Sequence, residues 1–99
     1  MTELLEFEVP EYPIQKENII CEELEGVDEV IFVDEQTGNN YAMNRMAAVI
    51  INLCDGEHTV DHIAQIIHET LQGDLDVIRT DTRAVLAEFS AYGLIHGKL

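Results

Sequence analysis

Basic side chains are what this sequence has least of: five Lys and Arg stand against 20 Asp and Glu in 99 residues, a formal net charge of −15. DNA and RNA binders draw much of their affinity from phosphates neutralised by Lys and Arg. A chain this acidic would approach a polyanion against repulsion, so no nucleic-acid partner is expected. Cysteine is scarce as well, with only Cys21 and Cys54 and none of the dense spacing of a secreted disulfide scaffold, which favours a reduced, cytoplasmic setting. Nowhere do 18 uncharged apolar residues run together, and Met1-Thr-Glu-Leu-Leu-Glu-Phe-Glu8 lacks the basic start of an export signal, so neither a membrane span nor secretion is expected. There is no repeat or low-complexity segment. No Gly-rich phosphate loop follows a strand, no Ser, His and Asp set has a recognisable local context, and carboxylates are too many for one pair to stand out. Neither catalysis nor a cofactor is expected.

What the chain does have is 46% hydrophobic residues, enough for one small core that buries about 60–65% of the unfolded surface. The acidity is uneven. Residues 1–44 carry 12 acidic side chains and Lys16, a net of −11, whereas residues 45–99 carry eight against Arg45, Arg79, Arg83 and Lys98, a net of −4. Solvation accounts for much of this; the functional alternative is steering toward a basic partner surface.

Residues 1–18 read as an acidic N-terminal arm, because Pro10 and Pro13 among Glu3, Glu6, Glu8, Glu11 and Glu17 favour extended structure over helix. Leu4, Leu5, Phe7, Val9, Tyr12 and Ile14 are too apolar for a purely solvated tail, and the arm could pack across the domain or on a neighbour. The domain proper then spans residues 19–99. Ile19 to Leu24 and Glu29 to Asp34 are β-rich runs joined as an antiparallel hairpin, and Gln36-Thr-Gly-Asn39 turns the chain into a short third strand, Asn40 to Met43.

Asn44 to Ile63 holds two helices and their turn. Asn44 can cap a helix whose Met46, Ala47, Val49, Ile50 and Leu53 follow the 3.6-residue period; Asp55-Gly56 stops it, and Thr59 can cap the next. Helix 2 should run from about Val60 to Leu71 with Ile63, Ala64, Ile66, Ile67 and Leu71 inward, ending at Gly73. Helix 3 should run from about Leu75 to Ala91. At roughly 100° per residue, its Leu75, Ile78, Thr82, Val85, Leu86, Phe89 and Tyr92 share one arc of about 120°. The order predicts an α+β fold in a winged helix-turn-helix-like arrangement, a three-stranded antiparallel sheet followed by three helices.

His58 and His62 stand four apart around Asp61, a spacing that zinc sites use, but no third ligand position is evident and a polar helix start explains the same residues. No metal is expected. Both cysteines read as buried small hydrophobes rather than nucleophiles, since neither lies beside a base that would favour the thiolate. Arg79, Arg83, Leu86 and Ser90 line one border of the helix 3 stripe; a partner contact and local pairing with Asp76 or Glu88 are both open readings.

Asn44-x-x-Ala47-x-x-Ile50-x-x-Leu53-Cys54-Asp55-Gly56-x-x-Thr59-Val60-x-x-Ile63 resembles the signature of the PqqD family of pyrroloquinoline quinone biosynthesis. Glu35 to Asn44 resembles that family's turn and third strand, and Asp81 to Ile95 its last helix and exit, so the likeness covers roughly residues 19–95. Thr82 and Phe89 stand where the pattern leads one to expect Val and Leu. The resemblance implies a non-catalytic peptide chaperone, or precursor-peptide recognition element. A leader peptide would add as a strand beside the third strand, facing helix 3, for presentation to a radical S-adenosylmethionine (SAM) enzyme. Carried over by position, Asn40, Tyr41, Ala42 and Met43 would form the receiving edge for the precursor peptide, and Arg79, Arg83, Leu86 and Ser90 the helical wall. The alternatives are a winged-helix transcriptional regulator and a protein-protein adaptor.

Overall fold

The computed structural model describes residues 9–97. In chain order the elements are β1 (Pro13–Gln15), β2 (Ile19–Glu23), β3 (Val30–Asp34), β4 (Asn40–Met43), α1 (Arg45–Asn52), α2 (Val60–Leu71), α3 (Leu75–Tyr92) and β5 (Ile95–Gly97). This is the α+β architecture expected from the sequence. β2, β3 and β4 form an antiparallel sheet in that order, with Phe32 opposite Cys21 and Tyr41, and Val30 opposite Glu23 and Met43. Phe32 and Val30 are fully buried beneath the helices. By strand alternation Tyr41 and Met43 therefore share the helix-facing side, while Ile20, Ile31, Val33, Asn40 and Ala42 share the other.

The β3–β4 turn is pinned by Asp34, whose Oδ1 accepts from Asn18 Nδ2 at 2.7 Å and from the backbone N–H groups of Gln36 at 2.9 Å and Thr37 at 3.3 Å. Gly38 takes φ +83, the left-handed conformation that this turn needs and a side chain would resist. Asp34 N–H donates to the Asn39 carbonyl at 2.9 Å, which fixes the alternation along β4. Tyr41 and Met43 then bond back to β3, and the N–H and C=O groups of Asn40 and Ala42 point away from it.

Each helix begins on a side-chain cap: Asn44 accepts from Ala47 N–H, Thr59 from His62 N–H, and Asp74 from Asp76 and Val77 N–H. α3 ends on Gly93 in the left-handed conformation, and α2 ends at Leu71 as expected, although its left-handed cap is Gln72 rather than Gly73. Ile50, Ile63, Ile67, Leu86, Phe89 and Leu94 make up the core with Phe32, which meets Phe89 edge to face at 5.6 Å. Leu71, expected inward, is exposed. It occupies the last position of α2, at the rim of a groove shared with Met46 and Val49 of α1.

A second, two-stranded sheet was not foreseen. β1 pairs antiparallel with β5, Pro13 is fully buried, Gln15 N–H donates to the Cys54 carbonyl at 2.8 Å and Gly56 N–H to the Pro13 carbonyl at 3.0 Å. The described part of the N-terminal segment, residues 9–18, is thus packed across the domain. Leu4, Leu5 and Phe7 of the expected arm lie outside the described residues.

Candidate functional site

β4 has β3 on one side only, so Asn40 and Ala42 present two N–H donors and two C=O acceptors along an edge that no described strand pairs with. Beside that edge runs a groove of about 200 Å³ lined by Ala42, Met43 and Asn44, by Ala47 of α1, and by Val85, Glu88 and Tyr92 of α3. The small side chain of Ala47 helps keep it open, while that of Ala42 lies on the far face of the sheet. Met43 and Val85 give part of its wall apolar surface, and Tyr92 closes one end by stacking on Tyr41 with ring centroids 4.5 Å apart. Glu88 is the one charged residue of the lining, and among the described residues it has no ion-pair partner.

The expected receiving edge, Asn40 to Met43, is at this groove, but the expected helical wall is not. Leu86 is wholly buried in the core. Arg79 reaches Asp76 at 3.1 Å and Asp61 of α2 at 3.4 Å. Arg83 lines a different groove, of about 370 Å³, with Val9, Glu11, Thr59, Val60 and Asp61. Ser90 is half-buried on the same flank as the two arginines.

The reason is helical geometry. The buried stripe Ile78, Thr82, Leu86 and Phe89 divides α3 into two flanks. Arg79, Arg83 and Ser90 fall on the flank toward α2, whereas Val85, Glu88 and Tyr92 fall on the flank toward β4. Sequence periodicity located the stripe but could not say which border met the sheet. An available signal was the pair Tyr41 and Tyr92, one on each side of the gap.

Elsewhere the chemistry is structural. Cys54 is buried, its Sγ 3.2 Å from the Ile50 carbonyl, and burial reinforced by the neighbouring Asp55 carboxylate pushes its thiol up to about 12. Asp55 accepts from Glu57 N–H, bonds the His58 ring at 2.9 Å, and is held below the usual carboxylate range by those contacts. The His58 and His62 rings are 4.9 Å apart, and no group of three potential metal ligands gathers among the described residues. The exposed face of α2, with Asp61, His62, Gln65 and Glu69, offers no Lys or Arg to a phosphate backbone. No described helix is long and apolar enough to cross a membrane.

Three solved structures share this fold. TbiB1 in complex with the TbiA(beta) leader peptide superposes with a TM-score of 0.69 at 19% identity, covering 87% of this chain and 98% of that one. A lasso peptide synthetase B1 complexed with its leader peptide gives 0.69 and 19%, over 86% and 98%. The PqqD part of Methylobacterium extorquens PqqCD, a stand-alone recognition element for ribosomally synthesized and post-translationally modified peptides, gives 0.70 and 21%, over 85% and 87%. No curated protein matches the chain significantly. The sequence profile of coenzyme PQQ synthesis protein D matches residues 29–95, well over half of the chain, and its span includes β3, β4, all three helices and the groove between them. This chain belongs to the PqqD family.

Proposed function

We propose that this chain is a non-catalytic, cytoplasmic recognition domain. It binds the leader of a ribosomal precursor peptide as a strand added to β4 and presents the peptide to a modifying enzyme, of the radical SAM class implied by the family. The observation that carries this is the edge of β4, unpaired among the described strands, facing α3 across a groove. The TbiB1 and lasso synthetase B1 relatives, each in complex with a leader peptide, support the reading. Four main-chain hydrogen bonds at a net ~0.5–1.5 kcal/mol each supply roughly 2–6 kcal/mol. Micromolar affinity needs about 8 kcal/mol, so side chains in the groove must contribute the rest.

The test is to titrate the isotope-labelled protein with the leader of a precursor encoded beside its gene. Strand addition moves the amide resonances of Asn40 and Ala42, whose N–H groups point outward, more than those of Tyr41 and Met43. It also moves the side chains of Val85 and Tyr92. Shifts confined to α2 or to the Arg83 groove would refute strand addition.

A further inference from the structure

The lining of the β4–α3 groove bears on which peptides it takes, an inference that rests on the strand-addition reading. A strand laid along β4 places alternate side chains toward α3, two residues and about 6.6 Å apart. There they meet two unlike neighbours on one helical flank. Val85, with Met43 and Ala47 beside it, offers an aliphatic contact for a branched side chain within a groove that is otherwise mostly polar. Glu88 stands three residues further along α3, about 4.5 Å in rise, and no described cation neutralises it. Asp81, one turn before Val85 on the same flank, is exposed and likewise has no ion-pair partner among the described residues. The two arginines of α3 are turned away, Arg79 toward Asp61 and Arg83 into the other groove.

We infer that the groove selects extended peptides in which a bulky aliphatic residue and a Lys or Arg lie two positions apart, and that Glu88 sets the charge preference. An acidic residue at the same position would meet a like charge, while a basic one gives Glu88 the cation that no described residue supplies. The −15 charge of the whole protein acts in the same direction at longer range.

The experiment selects random 12-residue peptides displayed on phage against the full chain, then measures the best synthetic peptide and its Lys/Arg→Glu counterpart by fluorescence anisotropy. The expected result is enrichment of an aliphatic and a basic residue at i and i+2, shifts of the Asn40 and Ala42 amides, and weakening of about five- to twentyfold in the acidic counterpart. Glu88→Lys should invert that preference, and Glu88→Gln should flatten it with an unchanged melting temperature. Peptides that shift Asn40 and Ala42 but show no basic enrichment, or a preference that Glu88→Lys and Glu88→Gln both leave intact, would overturn the inference while strand addition stands. Selection that yields no peptide acting on Asn40 and Ala42 would overturn both.

Discussion

The rings of Tyr41 and Tyr92 stack with their planes 17° from parallel and their centroids 4.5 Å apart, tying the middle of β4 to the last turn of α3. Among the described strands β4 has one neighbour, so this contact helps hold its helix-facing side in place while no described strand covers its far edge. Tyr92 is 41% exposed, and an isolated exposed tyrosine would contribute little. Here it sets the end wall of the groove.

Stacked aromatic pairs contribute about 0.5–1.5 kcal/mol beyond the area they bury. Tyr41→Ala and Tyr92→Ala should each lower the unfolding free energy in urea by about 1–2 kcal/mol, and the double variant should lose less than their sum by about 0.5–1.5 kcal/mol. Strict additivity would mean that the rings do not act as a pair. Both variants should also weaken leader binding, because β4 and the groove end lose their brace together.

Asp34 makes the β3–β4 turn sensitive to acid. Its carboxyl is held below the ordinary value of about 3.9, first by the hydrogen bond from Asn18 and further by the Gln36 and Thr37 amides, with burial opposing. A carboxylate with a depressed folded-state value stabilises the fold above its unfolded value and loses that contribution as pH falls through the folded one. Asp34→Asn should therefore melt below the parent at pH 7, and the gap should close as the pH falls through the depressed folded-state value. An equal gap at both ends of the range would place the effect in turn geometry rather than in charge.

Much of this architecture is legible in the residues themselves. The caps Asn44 and Thr59, the turn at Gly38 and the 3.6-residue periods of α1 and α2 each have a local cause, and local causes survive folding. β1 and β5 do not, because three-residue strands carry no readable period and their pairing joins Pro13 to Gly97 across the whole chain. The short strand Asn40 to Met43 was legible for the same reason as the turn before it. Which border of α3 faces β4 was not, because both borders of the stripe look alike until β4 is placed beside one of them.

Ile63 is fully buried on α2 and belongs to the one core cluster. Ile63→Ala should cost about 2–5 kcal/mol, from lost transfer energy and the cavity left behind. Val77→Ala, at a residue 56% exposed on α3, should change stability by less than about 0.5 kcal/mol in the same urea titration. Similar losses at both sites would mean that the inward faces are misassigned.

Thr82 is 0% exposed in the middle of the α3 stripe, between Ile78 and Leu86, and its Oγ1 finds no hydrogen-bond partner among the described residues. A buried hydroxyl without a partner carries its full desolvation cost, about 1–3 kcal/mol. Valine has nearly the same shape, is β-branched like threonine and has a similar helix propensity, so Thr82→Val removes the hydroxyl at little other cost. The expected outcome is a gain of about 1 kcal/mol in urea unfolding, with leader affinity unchanged because Thr82 lies beneath the groove wall rather than in it. Thr82→Ala is the control: it removes the same hydroxyl but also a methyl group, and the cavity should offset the gain or reverse it. A loss of stability in Thr82→Val would show instead that the hydroxyl bonds the Ile78 carbonyl one turn back in solution, and that α3 depends on that bond.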